Sequence, residues 1–196
     1  MLLTLTLALL GGVPLSAQEH IWGTSSAALS NDPGFEGYWK YCFEISWDVT
    51  GYDGYGVSHI DILLGLELCP CVCFDGYFAF ADTVGSGPGT TNGSGCTVYW
   101  YGYFECEGDP TVPDGEPTNK FQYFEDACEP NEVGWAEICF YSVAAPTPVG
   151  CFIDALGIKF GPYFEKGDLD GVLPTCDWAY SGMTASTWGQ IKALFH

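Results

Sequence analysis

The chain has 196 residues, and its formal net charge of −20 comes from 25 acidic side chains set against five Lys and no Arg. Phosphate contacts need Lys and Arg, so nucleic acid is excluded as a partner, and an anionic membrane surface is excluded on the same ground. The length suffices for one domain with a core of its own, and such a charge favours solubility while it loosens the compact state unless salt screens it.

In chain order, residues 1–17 form an apolar run, Met1 to Leu10, fading into Gly11-Gly12-Val13-Pro14-Leu15-Ser16-Ala17. That stretch suits a signal peptide cleaved after Ala17, although no Lys or Arg precedes it. The expected location is therefore secreted, extracellular or on the cell envelope. No later segment has the ~18 apolar residues of a membrane-spanning helix. Residues 18–36, rich in Ser, Ala, Gly and Asn, are expected to be an irregular lead-in.

A disulfide-rich β domain is expected over 37–177. Trp39, Tyr41, Phe43, Ile45 and Trp47 alternate with polar residues at a period of two, which predicts a strand with its aromatic side buried and Cys42 on the outer side. His59 to Cys69 repeats this with Ile60, Ile62 and Leu64 in phase, and Tyr77–Phe80 is a shorter piece. Residues 85–95 read as a long Gly/Ser/Pro loop. Cys96–Cys106 reads as another strand, 107–118 as an acidic loop, and Lys120–Phe124, Trp135–Ser142 and Phe152–Phe160 as strands. Pro146 and Pro148 are expected to separate the last two. Many short strands without a long helical period predict an antiparallel β-sandwich, with a β-barrel as the alternative. Residues 178–196 are expected to be a linker and a short C-terminal helix, with Thr187 and Gln190 as a capping box.

The 10 Cys are Cys42, Cys69, Cys71, Cys73, Cys96, Cys106, Cys128, Cys139, Cys151 and Cys176. An even number behind an export leader predicts disulfides. Cys69, Cys71 and Cys73 face one side of a strand. They could bind a soft metal such as Cu(I) or Zn(II), but disulfides to Cys96, Cys106, Cys128 or Cys139 fit the export context better. Cys96 and Cys106 end one strand, roughly 33 Å apart at ~3.3 Å per residue, so they should not pair with each other.

Among the candidates for chemistry, Asp168-Leu169-Asp170-Gly171 has the Asp-x-Asp-Gly look of a calcium loop, with Asp177 further on, and Glu105, Glu107 and Asp109 alternate. Hard carboxylate oxygens suit Ca²⁺, yet Lys166 stands where the first ligand of an EF-hand belongs. Ser58, His59 and Asp61 have the residue types of a catalytic triad but, as neighbours on a strand, are not expected to converge. No G-x-S-x-G elbow occurs, and paired carboxylates for a secreted hydrolase are not recognisable from spacing. Tyr99, Tyr101 and Tyr103 share one face of their strand, while Trp100 and Phe104 share the other. The Tyr stripe is a candidate platform for stacking sugar rings or docking a second copy of the chain.

Residues 56–61 (Gly-Val-Ser-His-Ile-Asp), followed by Leu64-Gly65-Leu66-Glu67, Cys69-Pro70-Cys71-Val72-Cys73 and Cys106-Glu107-Gly108-Asp109-Pro110, resemble a pattern of secreted bacterial proteins that implies no activity. Thr187 to Phe195 is similar to a short C-terminal tail on assorted exported bacterial proteins, which implies a sorting or attachment signal. The expected function is that of a non-catalytic structural or adhesion domain outside the cell. A carbohydrate-binding module is the alternative and a hydrolase the third reading. Expected partners are polysaccharide, envelope components or the chain itself.

Overall fold

The computed structural model describes residues 20–52, 54, 56–64, 77–89, 96–106, 110–112, 116–124 and 128–174. Ten strands are present: β1 (Ile21–Leu29), β2 (Trp39–Asp48), β3 (Val57–Leu63), β4 (Phe78–Ala79), β5 (Gly85–Pro88), β6 (Thr97–Glu105), β7 (Thr118–Tyr123), β8 (Val133–Ser142), β9 (Pro146–Phe160) and β10 (Tyr163–Pro174). No helix occurs among the described residues, so none there is long and apolar enough to cross a membrane.

The strands run in the order β2-β1-β10-β9-β3-β7-β6-β5-β8, and β8 pairs back onto β2. This closes a barrel of nine strands, the alternative to a sandwich. Closure removes the sheet edges that would otherwise invite aggregation. The β2–β8 ladder runs in unbroken register from Trp39↔Ser142 to Asp48↔Val133. β4 pairs with residues 141–142 of β8 and β5 with residues 137–138, so the two short strands act as one interrupted strand.

Alternation drives this arrangement. On β2, Tyr41, Phe43, Ile45 and Trp47 are buried inside the barrel. They meet Val98, Trp100, Phe121, Ile138, Phe140, Leu156, Ile158 and Phe160 from the other strands. Phe140 stacks on both Tyr41 and Phe43 with centroids 5.3 Å apart, and Trp47 and Trp100 meet edge to face at 6.2 Å. Offset and T-shaped contacts of this kind add to the burial of area. The Trp47 indole N–H donates to the Asn131 carbonyl and the Tyr41 hydroxyl to that of Ala144, so these polar tips are satisfied. Burial pushes the pKa of the Tyr41 phenol up, keeping it neutral.

Three strands depart from the sequence expectation. The stretch 18–36, expected to be irregular, holds β1; its inward residues Gly23, Ser25 and Ala27 are small, so no apolar alternation is visible. A Cβ on Gly23 would meet the Glu44 carbonyl of β2, and Ser25 faces β10, which crosses close by. A Cβ on Gly167 would strike the Ile21 carbonyl, and the Ser25 hydroxyl donates to the Val172 carbonyl while accepting from its N–H, both at 2.7 Å. This hydroxyl takes over ladder bonds at the seam where β1 and β10 run parallel. β10 itself, interrupted by register shifts between Gly167 and Gly171, was not expected. β5 lies in the supposed loop 85–95, where a Cβ on Gly85 would collide with the Glu137 carbonyl of β8. Pro146 and Pro148 begin β9 instead of breaking it; Pro148 pairs with Val172.

Cys42 is bonded to Cys139, its direct register partner on the outer face of β2–β8, with 97 residues between them in sequence. Cys96 is bonded to Cys128, not to Cys106, and Cys106 is also in a disulfide. Cys96, Cys128 and Cys139 are thereby corrected as partners for the 69–73 cluster. Cys69, Cys71, Cys73 and Cys176 lie outside the described residues, as do the leader, the C-terminal helix, Glu107, Asp109 and Asp177; Cys151 is on β9.

Candidate functional site

Aromatic side chains fill the barrel, and among the described residues the grooves lie on its outer wall. Two shallow grooves flank the β2–β8 ladder. One, of about 370 Å³, is lined by Trp22, Gly23 and Thr24 of β1, Glu44 and Ser46 of β2, and Asp168, Leu169 and Asp170 of β10. The other, of about 350 Å³, includes Lys40, Ser86, Tyr99, Glu137 and Tyr141.

The strand register explains how the first groove acquires its chemistry. Trp135 of β8 lies opposite Ser46 of β2, which lies opposite Trp22 of β1. All three point outward, since Ala136, Ile45, Trp47 and Ile21 on either side of them are buried in the barrel. Two strand steps of ~4.8 Å place the Cα atoms of Trp22 and Trp135 about 10 Å apart. Both are unusually open for Trp, at 43% exposed for Trp22 and 53% for Trp135. Beside them the groove presents only hydrogen-bonding oxygens as polar side-chain groups: carboxylates from Glu44, Asp168 and Asp170 and hydroxyls from Thr24 and Ser46. Asp168 also accepts a hydrogen bond from the Asp154 amide, at 3.2 Å, which fixes the floor of β10. Among the described residues no three His, Cys, Asp or Glu are grouped to hold a metal ion. The Asp168–Asp170 pair lines the groove; Asp177, Glu107 and Asp109 of the calcium expectation lie outside the described residues.

In the second groove, Lys40 binds Asp32 at 2.8 Å, and the Tyr141 hydroxyl donates to the same carboxylate at 2.7 Å. These bonds, led by the one from Lys40, hold the Asp32 carboxyl below its ordinary 3.8. Phe35 stacks on Tyr141 with centroids 4.0 Å apart, so the loop after β1 is tied to the wall.

The Tyr stripe faces outward as expected, and Val98, Trp100, Gly102 and Phe104 face inward. Tyr99 is 46% exposed and lines the second groove. Tyr101 and Tyr103 stack on each other at 6.1 Å, and Phe124 lies against Tyr101 at 5.1 Å. Lys120 sits over the Tyr103 ring, 5.9 Å from its centre. Glu105 ends the same outward row.

His59 and Asp61, expected not to converge, do meet: Nε2 and Oδ2 are 3.3 Å apart. Residues i and i+2 of a strand share a face. A register shift between Val57 and His59 also brings the Ser58 hydroxyl to 3.3 Å from Nδ1. Both His59 and Asp61 are buried beneath the segment that carries Thr111, whose hydroxyl is 3.4 Å from His59.

Sequence reasoning missed Trp22, Glu44, Ser46 and Trp135 as a site. The signal was present in the outward phase of Trp135, but Trp22 could not be phased within a strand that was not recognised.

No family model, curated protein or solved structure matches the chain.

Proposed function

We propose that this is a secreted, non-catalytic adhesion domain that holds a neutral polysaccharide on its outer wall. The observation that carries the reading is the row Trp22–Ser46–Trp135, two open indoles flanking a hydroxyl beside a groove of carboxylate and hydroxyl oxygens. Sugar rings offer C–H faces that stack on indole and hydroxyl groups that donate to carboxylates. The spacing of about two strand steps leaves one ring to each indole. A chain of charge −20 repels anionic glycans, which selects a neutral one. Disulfides suit a protein that works outside the reducing cytosol.

The test is retention on immobilised neutral polysaccharides. Trp22→Ala and Trp135→Ala should each weaken binding by roughly tenfold or more, about 1.4 kcal/mol. Tyr101→Ala should leave it intact. Loss on Tyr101→Ala alone would move the site to the β6 stripe, and undiminished binding by both Trp variants would remove the reading.

A further inference from the structure

We propose that the row Trp22–Ser46–Trp135 takes an extended β-1,4-linked chain of pyranose rings with equatorial hydroxyls, stacking two alternate rings on the indoles and carrying the ring between them over Ser46. The inference rests on the glycan reading above and names its substrate class. The three residues are direct register partners across β1, β2 and β8. Both β1 and β8 are antiparallel to β2, so they run the same way. Outward side chains stand off a sheet and lean along the strand, not across it. The two indoles therefore lean in one sense, and their spacing across the strands stays near the two steps, about 10 Å, that separate their Cα atoms. Convexity of the barrel wall widens that gap. Ser46 is short and half-buried, which leaves the space between the indoles open.

This spacing selects a linkage. Adjacent rings of a glycan lie much closer together than two strand steps, so indoles placed this way do not hold neighbours. In an extended β-1,4-linked ribbon each ring is turned over relative to the last. Rings two apart present the same face, and the two-ring repeat is close to the spacing of the indoles. Chains with α-1,4 or β-1,3 links coil instead, so their alternate rings do not face one way along a line. Stacking also needs ring faces made of C–H bonds, which equatorial hydroxyls leave clear. Those hydroxyls project from the rim of the ribbon. A second outward row, Thr24–Glu44–Glu137, is exposed and lies about 7 Å along the strands from the first. Asp170 continues it on β10. Thr24, Glu44 and Asp170 line the same groove as Trp22, and their oxygens accept hydrogen bonds from the rim of a ribbon lying on the indoles.

The experiment is affinity measurement on the full mature protein with di- and trisaccharides of defined linkage: cellobiose and cellotriose, chitobiose and chitotriose, maltotriose (α-1,4) and laminaritriose (β-1,3). Cellotriose or chitotriose should bind about tenfold or more tighter than its own disaccharide, because only three rings reach both indoles. Trp22→Ala and Trp135→Ala should each erase that gain, bringing the trisaccharide down to the affinity of the disaccharide. Glu44→Ala should weaken the trisaccharide severalfold with both indoles in place. Maltotriose and laminaritriose should bind no better than the β-1,4-linked disaccharides. Equal affinity of disaccharide and trisaccharide overturns the proposal, and so does maltotriose or laminaritriose binding as tightly as the β-1,4-linked trisaccharides; either result, with binding still lost in the Trp variants, leaves the glycan reading standing. No binding by any sugar, neutral polysaccharides included, removes that reading and the proposal together.

Discussion

Asn119 is fully buried inside the barrel on β7, and neither its amide nitrogen nor its oxygen has a hydrogen-bonding partner. A buried group left so costs about 1–3 kcal/mol. Asn119→Leu should therefore raise the denaturant midpoint; a lower midpoint would mean that the amide makes bonds through trapped water. Asp32 gives a pH signature. Its folded-state pKa is depressed by Lys40 and Tyr141, so its contribution is present above pH 3.8 and lost as pH falls through the lower folded value. The difference in melting temperature between wild type and Asp32→Asn should be small but constant near neutrality and vanish on acidification; a difference that grows with acid would contradict the assignment. Glu44 and Glu137 face each other across β2–β8, and like charges directly opposite repel. Glu137→Gln should stabilise the protein at low salt and have little effect at high salt.

At the scale of elements, β2, β6 and β8 were legible because large apolar residues alternate with polar ones over nine or ten positions. β1, β5 and β10 were not, since the tight approach of their neighbours demands Gly and Ser where a strand pattern would show Val or Ile. The same close packing hid half the site, for Trp22 acquires an outward direction only once β1 pairs with β2. Cys42 was placed outward by its phase, while its pairing with Cys139 needed the register of β2 with β8. Removing that disulfide as Cys42→Ala/Cys139→Ala should cost about 2–4 kcal/mol, read as an earlier denaturant midpoint with the barrel retained. An unchanged midpoint would show that the continuous β2–β8 ladder alone closes the cylinder.

For the whole molecule, closure and charge act together. The barrel is filled and closed by β2–β8, and two grooves on its wall flank that ladder. The chain's charge of −20 resists compaction. Raising ionic strength from about 0.01 M to 0.15 M shortens the screening length from about 30 Å to 8 Å. The melting temperature should rise over this range, and a fall would mean that attractive ion pairs dominate. Glycan affinity should change little with salt, because indole stacking and hydroxyl bonds carry it.

Calorimetric titration of the mature protein with neutral oligosaccharides, alongside a Trp22→Ala/Trp135→Ala variant, bears most directly on the role assigned to this wall. Saturable heat with one glycan class, abolished in the double variant while its circular dichroism stays that of the wild type, is the result foreseen. Equal heats from both proteins would contradict it.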